Sequence, residues 1–153
     1  MEIKLIIAIV IIILAVLTAA RISPERSSDQ FYEGKFIHID IIVIQFDKTN
    51  ANTYIGYHLT PFAEAYMYLF GTRYLEPKIK QVFAEFNVTK IQEIGLNGAS
   101  LTITNISKQE DQYYLHNSIR FGIPPDMLTI VYPDGSRRSY QKPVSTQNTF
   151  YTQ

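Results

Sequence analysis

Between Lys4 and Arg21 the chain carries sixteen consecutive uncharged residues, LIIAIVIIILAVLTAA. No other feature constrains the fold more. An Ile-rich run without a polar face or helix caps has no place on the surface of a 153-residue protein, and a core large enough to swallow it needs a bigger domain around it. As a helix it would span roughly 24 Å at about 1.5 Å per residue, a little under the ~30 Å hydrocarbon layer, and snorkelling of Lys4 and Arg21 would close the difference. The expectation is an amino-terminal membrane anchor over residues 1–22, in contact with lipid through residues 5–20. A cleavable signal peptide is the competing reading, because Thr18-Ala19-Ala20 supplies small residues at the right place. Orientation is weakly specified by charge, since Lys4 faces Arg21 and Arg26 across the segment. Two sequons, Asn87-Val88-Thr89 and Asn105-Ile106-Ser107, favour an extracytoplasmic domain and mark Asn87 and Asn105 as candidate glycosylation sites.

Composition narrows the function classes. Fourteen Lys plus Arg balance fourteen Asp plus Glu, so no surplus basic field steers the chain onto nucleic acid. With no cysteine, a disulfide framework, thiolate zinc sites, iron–sulfur clusters and a cysteine nucleophile are excluded. No G-x-S-x-G, P-loop or G-x-G-x-x-G occurs, so the chain is read as a non-enzyme that needs no cofactor.

Residues 23–34 are polar and read as a stalk, leaving 35–153 as the folded domain. FIHIDIIVIQF (36–46) alternates at first, then loads both faces, which predicts a strand with a bulge near Ile41 and burial on both sides toward its end. DKTNANT (47–53) reads as a turn and TYIGYHL (53–59) as a weaker strand. Thr60 as N-cap, Pro61 at the first helical position and Gly71 at the stop delimit a helix PFAEAYMYLF. A second helix, PKIKQVFAEF (77–86), is amphipathic through Ile79, Val82, Phe83 and Phe86. Period-two sequence returns at residue 88, with Asn97-Gly98 predicting a type I′ hairpin turn. Leu101 and Ile103 are expected to face inward. In 111–121, Tyr113, Leu115, Ile119 and Phe121 share one side and Tyr114, His116, Ser118 and Arg120 the other. MLTIVY (127–132) and SRRSYQ (136–141) are further strands, and the last ten residues read as an edge strand or a frayed tail. About seven strands with a two-helix insertion predict a mainly β chain, an immunoglobulin-like antiparallel β-sandwich behind a transmembrane helix. An α+β sheet covered by the two helices is the alternative.

A short uncharged anchor, a polar stalk and a cysteine-free β domain with the strand Ala99-Ser100-Leu101-Thr102-Ile103-Thr104-Asn105 together resemble the archaellar stator proteins, envelope-side accessory proteins of archaeal motility filaments. The resemblance implies a membrane helix holding an immunoglobulin-like domain outside the cell, where it touches a sister subunit, the filament or the surface layer. Archaeal type IV pilins share the plan, but their basic residue is followed by a small one, whereas Lys4 is followed by Leu5.

Two sets of side chains are candidates for function. Phe62, Tyr66, Met67, Tyr68 and Phe70 exceed what one side of a sandwich absorbs and suggest a protein interface, by self-association or with a different partner. His38 and Asp40 lie two apart on one strand and suggest, as the alternative, a membrane-tethered enzyme or metal-dependent binding protein, although a third group at telling spacing is missing from the sequence. Asp47, Asn50 and Asn52 are oxygen donors, but their spacing departs from a calcium loop and a turn is favoured.

Overall fold

The computed structural model describes residues 36–152. The apolar segment 5–20 and the stalk 23–34 lie outside the described residues, and no helix among those described is long and apolar enough to cross a membrane. The chain divides into two units, Met1–Phe36 and Ile37–Gln153, and the second is the one described below.

Its elements run β1 (Ile37–Asp47), β2 (Asn50–Leu59), α1 (Pro61–Phe70), a 3₁₀ turn (Thr72–Leu75), α2 (Glu76–Val82), β3 (Val88–Ile94), β4 (Gly98–Ile103), β5 (Lys108–Glu110), β6 (Tyr113–His116), β7 (Met127–Val131), β8 (Arg137–Gln141) and β9 (Thr149–Tyr151). The architecture is mainly β, with a six-stranded sheet in the order β3-β4-β2-β1-β7-β8 and a three-stranded sheet β5-β6-β9. Every neighbouring pair is antiparallel except β1 and β7, which run parallel from Ile41↔Met127 to Gln45↔Val131. A wholly antiparallel sheet was the expectation. The parallel pair is feasible because β2, the helices and β3 to β6 lie between the two strands in sequence and provide the long crossover it requires.

The register of the large sheet explains its core. Ile44 opposes Thr53, Thr53 opposes Leu101, and Ile44 opposes Ile130, while the next row joins Ile42, Ile55, Ala99 and Leu128. All eight are buried, so one face of the sheet carries the apolar load, each full Ile or Leu side chain contributing about 1.5–3 kcal/mol. The bulge predicted near Ile41 is present: the β1–β2 register shifts between Ile39 and Ile41. Its consequence differs from the expected burial on both faces. One inserted residue reverses parity, so Ile42, Ile44 and Phe46 fall on the same buried face as Ile37 and Ile39. The turn after β1 is only Lys48-Thr49, with Lys48 at φ 55°, and β2 starts at Asn50.

Both helices form, with two corrections. Gly71 ends α1 at φ 86°, its N–H donating to the Met67 carbonyl at 2.8 Å, but the Thr60 side chain makes no capping bond. The second helix stops at Val82 rather than Phe86, because Gly122 N–H donates to the Val82 carbonyl at 2.9 Å and Phe86 N–H turns back to Phe83. Phe83 and Phe86 are buried nonetheless, edge to face at 5.4 Å, with Phe121 against Phe86 at 5.2 Å.

The β3–β4 hairpin forms without the expected type I′ turn: neither Asn97 nor Gly98 has positive φ. The Tyr57 hydroxyl donates to the Gly95 carbonyl at 2.7 Å, and Tyr57 N–H donates to Asn97 O at 3.1 Å, so β2 shapes the loop. The glycine at 98 serves close approach, since a Cβ there would meet Tyr54 Oη at 2.5 Å and the Ile55 carbonyl oxygen at 2.9 Å.

The small sheet also departs from expectation. β6 ends at His116, and its buried side is Tyr114 and His116, with Tyr113 and Leu115 exposed. The last residues form an ordered edge strand: Tyr151 stacks on Phe46 at 4.6 Å and on Tyr114 at 5.6 Å, joining the two sheets. Its hydroxyl donates to Lys48 O at 2.6 Å and meets Ser107 Oγ at 2.8 Å, and burial pushes the phenol up to about 12.

Candidate functional site

Helix α1 turns a narrow side toward the core. Ala63 and Met67, one turn apart, are its only buried residues. Met67, included among the interface candidates, is 2% exposed and therefore belongs to the core side of the helix. The other four fare differently. At 100° per residue, Phe62, Tyr66, Leu69 and Phe70 form one continuous stripe, while Tyr68 falls on the far side with Glu64. Phe62 is 60%, Leu69 79% and Phe70 61% exposed. Tyr66 links the stripe to the following turn, its ring 4.6 Å from Phe70 and 5.5 Å, edge on, from Tyr74. Desolvation, and after it the neighbouring Tyr74 hydroxyl, holds the Tyr66 phenol above its usual range. Leu69 and Tyr74 were absent from the sequence-derived interface set. Leu69 was visible as the third member of a Phe62–Tyr66–Leu69 stripe, whereas Tyr74 joins only because Gly71 redirects the chain into a 3₁₀ turn.

Residues 61–70 contain a single charged side chain, Glu64. The ridge is thus apolar and aromatic, with no Lys or Arg of the kind that attaches an interfacial helix to anionic lipid. A second, smaller apolar area lies on the outward side of the small sheet, where Tyr113, Leu115 and Phe150 are exposed.

The other candidate site occupies the open face of the large sheet. His38 and His58 are direct cross-strand partners on β1 and β2, their rings 4.8 Å apart. Asp40 sits in the bulge, and its Oδ1 lies 2.8 Å from His58 Nδ1 and 4.0 Å from His38 Nε2. Asp126, which no spacing in the sequence associates with them, accepts from His38 Nε2 at 2.8 Å. Backbone bonds on both sides place it: Asp126 N–H donates to Ile39 O at 3.0 Å, and Lys142 N–H donates to Asp126 O at 2.7 Å. The His38 hydrogen bond holds the Asp126 carboxyl below its ordinary range, aided by the charges of Lys142 and His58. All four side chains are solvent-accessible.

His116, the third histidine, is fully buried, with Nδ1 donating to Ile106 O at 2.7 Å and Nε2 accepting from Thr146 Oγ1 at 2.8 Å. A carbonyl can only accept, so the proton resides on Nδ1. The two sequons diverge. Asn87 and Asn105 are both exposed, but the Ser107 hydroxyl of the second is buried beneath Tyr151. Asn50 Oδ1 accepts from Asn105 N–H at 3.2 Å, a turn contact.

The chain matches no protein-family model, no curated protein and no solved structure.

Proposed function

We propose that this chain is a membrane-anchored structural and interaction protein that presents its β domain outside the cell, as part of a filament, motility-stator or envelope assembly, with the aromatic ridge of α1 as its docking surface. The observation that carries this reading is the exposure of Phe62, Leu69 and Phe70 on a helix whose buried residues are Ala63 and Met67. A helix of that composition is stable in water at a cost that a partner would remove, and aromatic side chains of this kind dominate binding energy at interfaces. The occupant is a protein surface of matching apolar character, because the stripe lacks the cations a bilayer surface would select and the domain is close to neutral. The role is mechanical connection, supported by the anchor read from residues 5–20 and by the rigid ladder of buried rows in the large sheet. Within this reading the two sheets, stacked through Phe46 and Tyr151, form the immunoglobulin-like sandwich, with the parallel β1–β7 pair as a departure from the all-antiparallel plan.

Phe70→Asp in the full-length, detergent-solubilised protein is expected to weaken association about 100-fold, the ~3 kcal/mol typical of an interface anchor, with an unchanged circular dichroism spectrum. Light scattering coupled to size exclusion, at several concentrations and with co-purifying proteins identified, measures it. Retention of wild-type association by both Phe70→Asp and Leu69→Asp would remove α1 as the interface.

A further inference from the structure

We propose that His38, Asp40 and Asp126 form a divalent transition-metal site of the zinc class on the open face of the large sheet, with His58 as the residue that orients Asp40. One ligand atom from each of the three lies within 4.8 Å of the others. That spread is close to what a single ion needs, since bonds of about 2.0–2.2 Å place neighbouring donors roughly 3–3.5 Å apart. Side-chain rotation would close the set, and the three side chains are about half open to solvent.

The fold prepares the positions. His38 is fixed by direct pairing with His58, and the bulge takes Asp40 out of the ladder between the pairs Ile39↔Tyr57 and Ile41↔Gly56. Asp126 is fixed where the parallel β7 begins, by the backbone bonds to Ile39 and Lys142. Two ligands thus come from β1 and the third from backbone held at the entry to its neighbour β7. His58 Nδ1, 2.8 Å from Asp40 Oδ1, supplies the histidine–carboxylate contact that orients a ligating oxygen from outside the first coordination sphere. The proton shared between His38 Nε2 and Asp126 Oδ2 occupies the place of the ion, so binding must release it to solvent.

Donor chemistry selects the metal class. An imidazole nitrogen runs against the all-oxygen preference of magnesium and calcium, and a set of one nitrogen and two carboxylates lacks the soft sulfur that selects copper(I). One nitrogen and two carboxylate oxygens leave a fourth position of the tetrahedron to water or an exchangeable ligand. The ion would tie β1 to the loop that enters β7, across the one parallel junction of the sheet. Lys142, whose charge reaches Asp126, opposes any cation at the site.

The test is isothermal titration of the full-length protein with zinc chloride, and separately with magnesium chloride, in two buffers of different ionisation enthalpy so that released protons are counted. One saturable zinc site with proton release, no magnesium binding, loss of the site in His38→Ala, and at least tenfold weaker binding in both Asp126→Asn and His58→Phe are expected. Cobalt(II) in place of zinc should give visible absorption bands that Asp126→Asn abolishes. Zinc binding of equal strength in the wild type, His38→Ala and Asp126→Asn, or no saturable binding at all, would overturn the proposal. The substituted positions are exposed, and a wild-type thermal melt without metal verifies each variant's fold.

Discussion

His116 illustrates what a single residue contributes. Its imidazole is enclosed, and desolvation holds its pKa below the ordinary 6.5 against the opposing pull of the Ile106 carbonyl. The folded state therefore keeps it neutral where the unfolded chain begins to bind a proton. Between the unfolded value and the lower folded one the unfolded state carries more protons, so stability is complete above about pH 6.5 and falls as the pH drops below it. Melting temperatures measured from pH 7.5 to 5.0 are expected to decline on the acid side, and His116→Gln is expected to flatten that decline while losing about 1 kcal/mol at neutral pH. In the sequence, His116 alternates with apolar Leu115 and Tyr113, and the apolar set is the natural choice for the core. The opposite side is buried because Ile106 and Thr146, ten and thirty residues away, offer the two partners that an imidazole needs. Partners at that separation leave no local trace.

At the level of elements, periodicity was a good guide wherever one face dominates. The Leu101–Ile103 alternation, the bulge near Ile41 and the limits of α1 are all visible in the residues. What escaped was decided by backbone contacts from elsewhere. Helix α2 stops early because Gly122 claims a carbonyl, and the Asn97-Gly98 turn is overridden by Tyr57. Gly98→Ala is accordingly expected to destabilise the protein by about 1–3 kcal/mol, because the Ile55 carbonyl cannot move aside. Asn97→Ala, whose φ is ordinary, should cost a few tenths of a kcal/mol in the same urea titrations. A type I′ turn would reverse that order. The His/Asp cluster follows the same logic. A two-residue turn at Lys48-Thr49 followed by one bulged residue places His38 opposite His58, so half of the site was recoverable from register. Asp126 was not, because a parallel pairing across more than eighty residues has no signature in either strand.

For the whole molecule, the carboxyl-terminal strand is the closure. Tyr151 connects Phe46 of the large sheet to Tyr114 of the small one and bonds to Lys48 and Ser107, residues from two distant turns. Tyr151→Ala is expected to cost about 3–5 kcal/mol in chemical denaturation, as large aromatic deletions in cores do. Tyr151→Phe should lose nearer 1 kcal/mol, since only the hydroxyl contacts go. The sequence left this segment undecided between strand and tail because its polar residues mask a single buried ring. The parallel junction has a further consequence, one of timing. β1 is synthesised before β7, and the neighbour that covers its second edge is made more than eighty residues later. Until then the most Ile-rich stretch of the domain offers an open row of amide and carbonyl groups, the template on which intermolecular pairing starts. Chains that end before Leu128 and Ile130 should therefore depend on a holding chaperone, and the hazard ends when those two residues pair with β1.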